Sequence, residues 1–150
     1  MATQFKTALN EAIKAAMKAG DKRRLGALRL ILAAVKQYEV DQRAEVDDGV
    51  AIDVLTRMAK QRRESLAQYE SAGREDLAAQ ERFELEIIAG YLPQPLTAEE
   101  IVRHIDAAVA TSGASGMRDM GKVMALLNKD LKGRADMAAV SSQVKARLSA

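Results

Sequence analysis

The chain contains no cysteine and no tryptophan. Disulfides, thiolate nucleophiles and cysteine-ligated metals are thereby excluded. His104 is its sole histidine, set beside Arg103 and Asp106. No second group stands at the spacing that a metal set or a nucleophilic triad requires, so His104 reads as an exposed structural residue. Aromatic residues number five, Phe5, Tyr38, Tyr69, Phe83 and Tyr91. The core must then be built from Leu, Ile, Val, Ala and Met, which favours packed helices. Neither a Walker-type phosphate loop nor a G-x-S-x-G elbow occurs. Long apolar runs are missing as well, since Lys6, Glu11, Lys14 and Lys18 interrupt the N-terminal stretch. Neither a signal peptide nor a membrane span is expected, and the expected location is cytoplasmic.

What is present is 150 residues, 48% hydrophobic and 29% charged, the composition of a globular domain. A net charge of +2 conceals segregation. Residues 1–36 carry eight Lys/Arg against two Asp/Glu, residues 37–114 eight against sixteen, and residues 115–150 seven against three. Two basic ends flank an acidic middle. Such a pattern marks an anion-binding surface or balances charge among solvated helix faces.

Apolar residues recur at helical spacing almost throughout. Phe5, Leu9, Ile13 and Met17 form one stripe, with Thr3 as N-cap and Gly20 as stop. Leu25, Leu28, Ile31, Leu32 and Val35 form a second, and Arg23, Arg24, Arg29 and Lys36 are assigned to the opposite, basic face. A long third helix starts at Asp47 or Asp48 and ends near Ser71-Ala72-Gly73; a fourth runs from about Glu75 to Leu92. Glu81, Glu84 and Glu86 on it read as a carboxylate cluster or, at least as well, as solvated groups paired along the helix. No segment alternates as a strand does. Both prolines fall in Leu92-Pro93-Gln94-Pro95-Leu96, the best domain boundary. Thr97 and Glu100 then form a capping box. The expectation is an all-α protein, with an N-terminal four-helix module over residues 1–92 and a three-helix tail domain over residues 93–150.

Within the tail, two short helices meet at Lys132-Gly133-Arg134-Ala135-Asp136. A glycine that can stop one helix, two cations and the start of another helix fall in five residues. Backbone N–H groups beside a guanidinium suit a phosphate. Asp136 could instead cap those same groups, leaving an ordinary helix–turn–helix corner.

Several blocks resemble a known family. Leu28 through Gln37 (LRLILAAVKQ) is similar to the second-helix signature of the GatB/YqeY family. Gln61-Arg62-Arg63-Glu64-Ser65 and Tyr69 through Leu77 (YESAGREDL) resemble its central block, and Tyr91-Leu92-Pro93 its domain junction. Met120-Gly121-Lys122-Val123-Met124 and Gly133-Arg134-Ala135-Asp136-Met137 resemble its two tail motifs. The order is preserved along nearly the whole chain, as in the stand-alone YqeY-like proteins. The resemblance implies the helical and tail modules of the B subunit of the tRNA-dependent amidotransferase. That enzyme amidates mischarged Glu-tRNA(Gln) or Asp-tRNA(Asn), a carbon–nitrogen ligation with glutamine as nitrogen donor. Its helical modules contact tRNA, while its kinase-like site lies in a separate domain. The implied role is an accessory tRNA-binding module with no catalytic residue, metal or cofactor of its own. Lys122, Lys132, Gly133 and Arg134 carry over as phosphate contacts, to which charge placement adds Arg23, Arg24, Arg29 and Lys36. The alternative is an adaptor for an aminoacyl-tRNA synthetase or an amidotransferase subunit.

Overall fold

A computed structural model describes residues 3–150. Among them there are seven α-helices and one 3-10 turn, and no strand. The chain divides into two compact units, Met1–Leu92 and Pro93–Ala150.

In the first unit, helix α1 (Gln4–Ala19) begins where the Thr3 hydroxyl accepts the Lys6 N–H, and stops at Gly20, whose φ of 68° is left-handed. Helix α2 (Lys22–Gln42) is capped by Asp21, which accepts the Arg24 N–H. It ends at Arg43 with φ 51°, a left-handed conformation unusual for a side-chain-bearing residue. Helix α3 (Asp48–Ser71) is capped by Asp47, whose carboxylate accepts the Val50 N–H at 2.7 Å. Asp48 meanwhile accepts the Phe5 N–H at 3.0 Å and ties the start of α3 to that of α1. Helix α4 (Glu75–Ala89) follows the turn at Gly73, φ 71°.

Leu9, Leu28, Ile31, Val35, Val46, Leu55 and Ile88 form the centre of this unit's core. The Phe5 and Tyr91 rings meet edge-on at 5.7 Å, an aromatic pair in an otherwise aliphatic interior. Buried residues of α3 end at Ala59, although the helix continues twelve residues further. Beyond that point α3 and α4 form an arm in which ion pairs supplement packing: Arg82 bridges Glu70 at 3.4 Å and Glu75 at 2.5 Å, and Arg74 pairs with Asp76 at 3.1 Å.

The second unit is built from α5 (Ala98–Ser112), the 3-10 turn Met117–Asp119, α6 (Met120–Leu131) and α7 (Met137–Ser149). Thr97 accepts the Glu100 N–H at 3.1 Å, and its hydroxyl donates to the Glu100 carboxylate at 3.2 Å. The Glu100 side chain thus returns to the Thr97 hydroxyl rather than to its backbone. Ile105, Ala108, Val123, Leu127, Leu131, Val140, Val144 and Leu148 make the core, one stripe from each helix. Arg147 on α7 pairs with Asp106 on α5 across its surface.

Candidate nucleic-acid interface

The joint between α6 and α7 begins at Lys132, half-buried, with φ −54° and ψ 123°. Gly133 turns the chain with φ 73°. Arg134 then does two things at once. Its carbonyl accepts the Leu96 N–H at 2.9 Å, and its Nε donates to the Gln94 carbonyl at 3.2 Å. The proline-bounded segment before α5 is therefore strapped to the joint by one residue. Asp136 is the N-cap of α7 and accepts the Ala138 N–H at 3.0 Å. A carboxylate already occupies the positive end of that helix, where a phosphate would have to sit. Lys132, Gly133 and Arg134 are brought together, but the guanidinium is turned partly onto backbone.

Lys122 lies elsewhere on the same unit. It is exposed on α6, on the side away from Val123, Leu127 and Leu131, and Lys129 follows two turns later, about 10.5 Å along the axis. Arg118 is exposed in the preceding turn. Asp119 lies beside Arg118, and its carboxylate accepts the Ser115 N–H at 3.0 Å. That bond, with the positive charges of Lys122 and Arg118, holds the Asp119 carboxyl below its ordinary pKa. The result is a short cationic row on a unit containing no Phe, Tyr or Trp. Arg118 and Lys129 were not singled out in the sequence, although Lys122 and Lys129 stand at a two-turn spacing.

The four residues assigned to a basic face of α2, Arg23, Arg24, Arg29 and Lys36, do not share one face. Arg23 lies 4.2 Å over the Phe83 ring and reaches Gln80 Oε1 and the Ala79 carbonyl, each at 3.4 Å, so it holds α2 to α4. Arg24 is exposed at the start of the helix and lies close enough to Tyr91 to oppose the rise that burial imposes on that phenol's pKa. Arg29 and Lys36 alone point outward together.

Nor are the carboxylates of α4 uniformly solvated. Glu84 is 8% exposed. Arg62 Nε stands 2.8 Å from Glu84 Oε2 and 3.8 Å from Glu81 Oε2, while Gln80 donates to the other Glu84 oxygen at 3.3 Å. Arg23, Gln80, Glu84, Arg62 and Glu81 thus form one polar chain through α2, α4 and α3. Burial raises the Glu81 pKa, Arg62 opposes the rise, and the negative charge of Glu84 adds to it. These contacts hold the three helices in register. Glu86 remains exposed as expected. His104 is half-buried rather than exposed. Among the described residues there is no group of His, Asp and Glu arranged to hold a metal, and no helix long and apolar enough to cross a membrane.

Comparison with known proteins gives a family match and a set of relatives. The Yqey-like protein family profile matches residues 6–148. A protein of Eremothecium gossypii named "Altered inheritance of mitochondria protein 41, mitochondrial" is 34% identical over 102 residues, 66% of this chain and 56% of the relative. The Saccharomyces cerevisiae protein of that name is 32% identical over 89 residues, 58% of this chain and 48% of the relative. One from Pyrenophora tritici-repentis is 25% identical over 135 residues, 89% of this chain and 75% of the relative. The chain spans about half the length of the yeast relatives it matches. These names overturn the cytoplasmic expectation, because they point to the mitochondrion. That expectation rested on the lack of cysteine and of an apolar leader, and neither property distinguishes one reducing compartment from another.

Proposed function

The chain belongs to the Yqey-like protein family, and from that premise we propose that it is an accessory tRNA-binding module which contacts phosphates and performs no chemistry itself. The observation that carries this reading is the exposed row Arg118, Lys122 and Lys129 on a unit devoid of Phe, Tyr and Trp. With half-buried His104 as its one ring, the unit offers no run of stacking platforms for single-stranded bases, whereas a folded RNA backbone needs only cations at suitable spacing. Lys132 extends the basic character to the joint. Arg134 serves mainly as the strap to Gln94 and Leu96. The chemistry that such a module would support is amidation of mischarged tRNA by a partner amidotransferase, and the relatives' names point to a mitochondrial setting.

A salt series tests the reading. Three neutralised phosphates give a log–log slope of about −2.7, a loss of roughly 40-fold in affinity between 50 and 200 mM salt. Lys122→Ala with Lys129→Ala leaves about one contact, a slope near −0.9 and a loss of roughly fourfold over the same range. A slope unchanged by the double substitution, or no tRNA binding at 50 mM salt, refutes it.

A further inference from the structure

One face of α2 is used neither by the core nor by the row on α6. Lys22, Gly26, Arg29, Ala33, Lys36 and Val40 are all exposed and fall at alternating steps of four and three residues. That spacing is the repeat of a helix-facing seam, and it places the six residues in one band opposite Leu28, Ile31 and Val35. The cations recur every seven residues, about 10.5 Å apart, and a glycine, an alanine and a valine lie at the steps between. Among the described residues no ion pair within 4.0 Å engages Lys22, Arg29 or Lys36, although the charge of Lys36 helps to lower the Glu39 pKa. Val40 is 72% exposed, and Leu30 at the margin of the band 42%.

From this juxtaposition we infer that the outer face of α2 docks an acidic helix of a partner protein. Gly26 and Ala33 let a second helix approach closely, since they put no long side chain between the two backbones. Lys22, Arg29 and Lys36 then meet carboxylates that repeat at the same seven-residue interval on the incoming helix. Val40 and Leu30 supply apolar contact, which a phosphate backbone would not use. Two copies of this face would set cation against cation, so the face does not pair with itself.

The test uses the full chain with a photo-crosslinking residue in place of Ala33, irradiated in its native cell. Capture of a protein segment that carries Asp or Glu at seven-residue spacing is the expected result. Arg29→Glu with Lys36→Glu should reduce that capture at least tenfold while the far-ultraviolet helix signal is unchanged. A synthetic helical peptide with glutamate every seventh residue should bind at least tenfold more tightly than a peptide of equal composition with the glutamates scrambled. Crosslinking to RNA, to a second copy of the chain or to nothing overturns the inference, as does equal binding of the two peptides.

Discussion

Replacing Glu39 by alanine removes a hub on which three segments of the first unit converge. Its Oε2 accepts the Val46 N–H at 2.9 Å from the loop between α2 and α3, and it pairs with the ammonium of Lys6 on α1. Val46 itself is 0% exposed, so its N–H has no ready replacement in water. A hydrogen bond to a charged acceptor contributes about 1.5–3 kcal/mol. The Lys6 pair contributes less, about 0.5–1 kcal/mol, because its side chains are 23% and 24% exposed. Glu39→Ala should therefore destabilise by about 2–4 kcal/mol, and Glu39→Gln, which keeps an acceptor for Val46, by about half that. For a unit of this size the alanine variant should melt about 10–25 °C lower. Lys6 and Val46 both hold the carboxyl below its ordinary pKa of 4.5. A lowered folded pKa means that the charge stabilises the fold above about pH 4.5 and that this contribution disappears as pH falls through the folded value. Urea unfolding of wild type and Glu39→Gln should accordingly show the full difference at pH 6–7 and a converging pair of curves below pH 4.5. A gap that stays constant to pH 3, or melting within 1 °C for the alanine variant, refutes the hub.

Two further substitutions separate structure from recognition in the tail. Arg134→Ala removes the side-chain bond to Gln94 but spares the backbone bond to Leu96; it should cost about 0.5–1.5 kcal/mol in urea unfolding and leave the salt slope of tRNA binding unchanged, whereas a slope reduced by about one unit would make Arg134 a phosphate contact. Gly133→Ala forces a side chain into φ 73° and should cost about 1–2 kcal/mol; unfolding curves that coincide with wild type would show that the turn relaxes.

Local signals in the sequence were legible wherever the physics was local. Thr3, Asp47 and Thr97 cap helices because a short oxygen-bearing side chain reaches an N–H three residues ahead, and that geometry needs no tertiary contact. Gly20 and Gly133 take left-handed backbone for a similarly local reason. The α2 basic face failed for a reason that was also present in the sequence. Arg23 and Arg29 are six residues apart, about 240° around the helix, so they cannot share a face. The burial of Glu84 was different in kind. It depends on Arg62, which arrives from α3 with no sequence signal linking the two. At the tail joint both a phosphate cradle and a capped corner fitted the residues. The Asp136 carboxylate on Ala138 and the Arg134 bond to Gln94 are contacts that only the folded chain displays.

Every tyrosine of the chain, Tyr38, Tyr69 and Tyr91, lies in the first unit, and the second has no Phe, Tyr or Trp. Tyrosine fluorescence and near-ultraviolet dichroism therefore report on one unit alone, while helical ellipticity counts both. A single unlabelled sample carries two melting curves, and the interval between them measures how far the two units unfold as one.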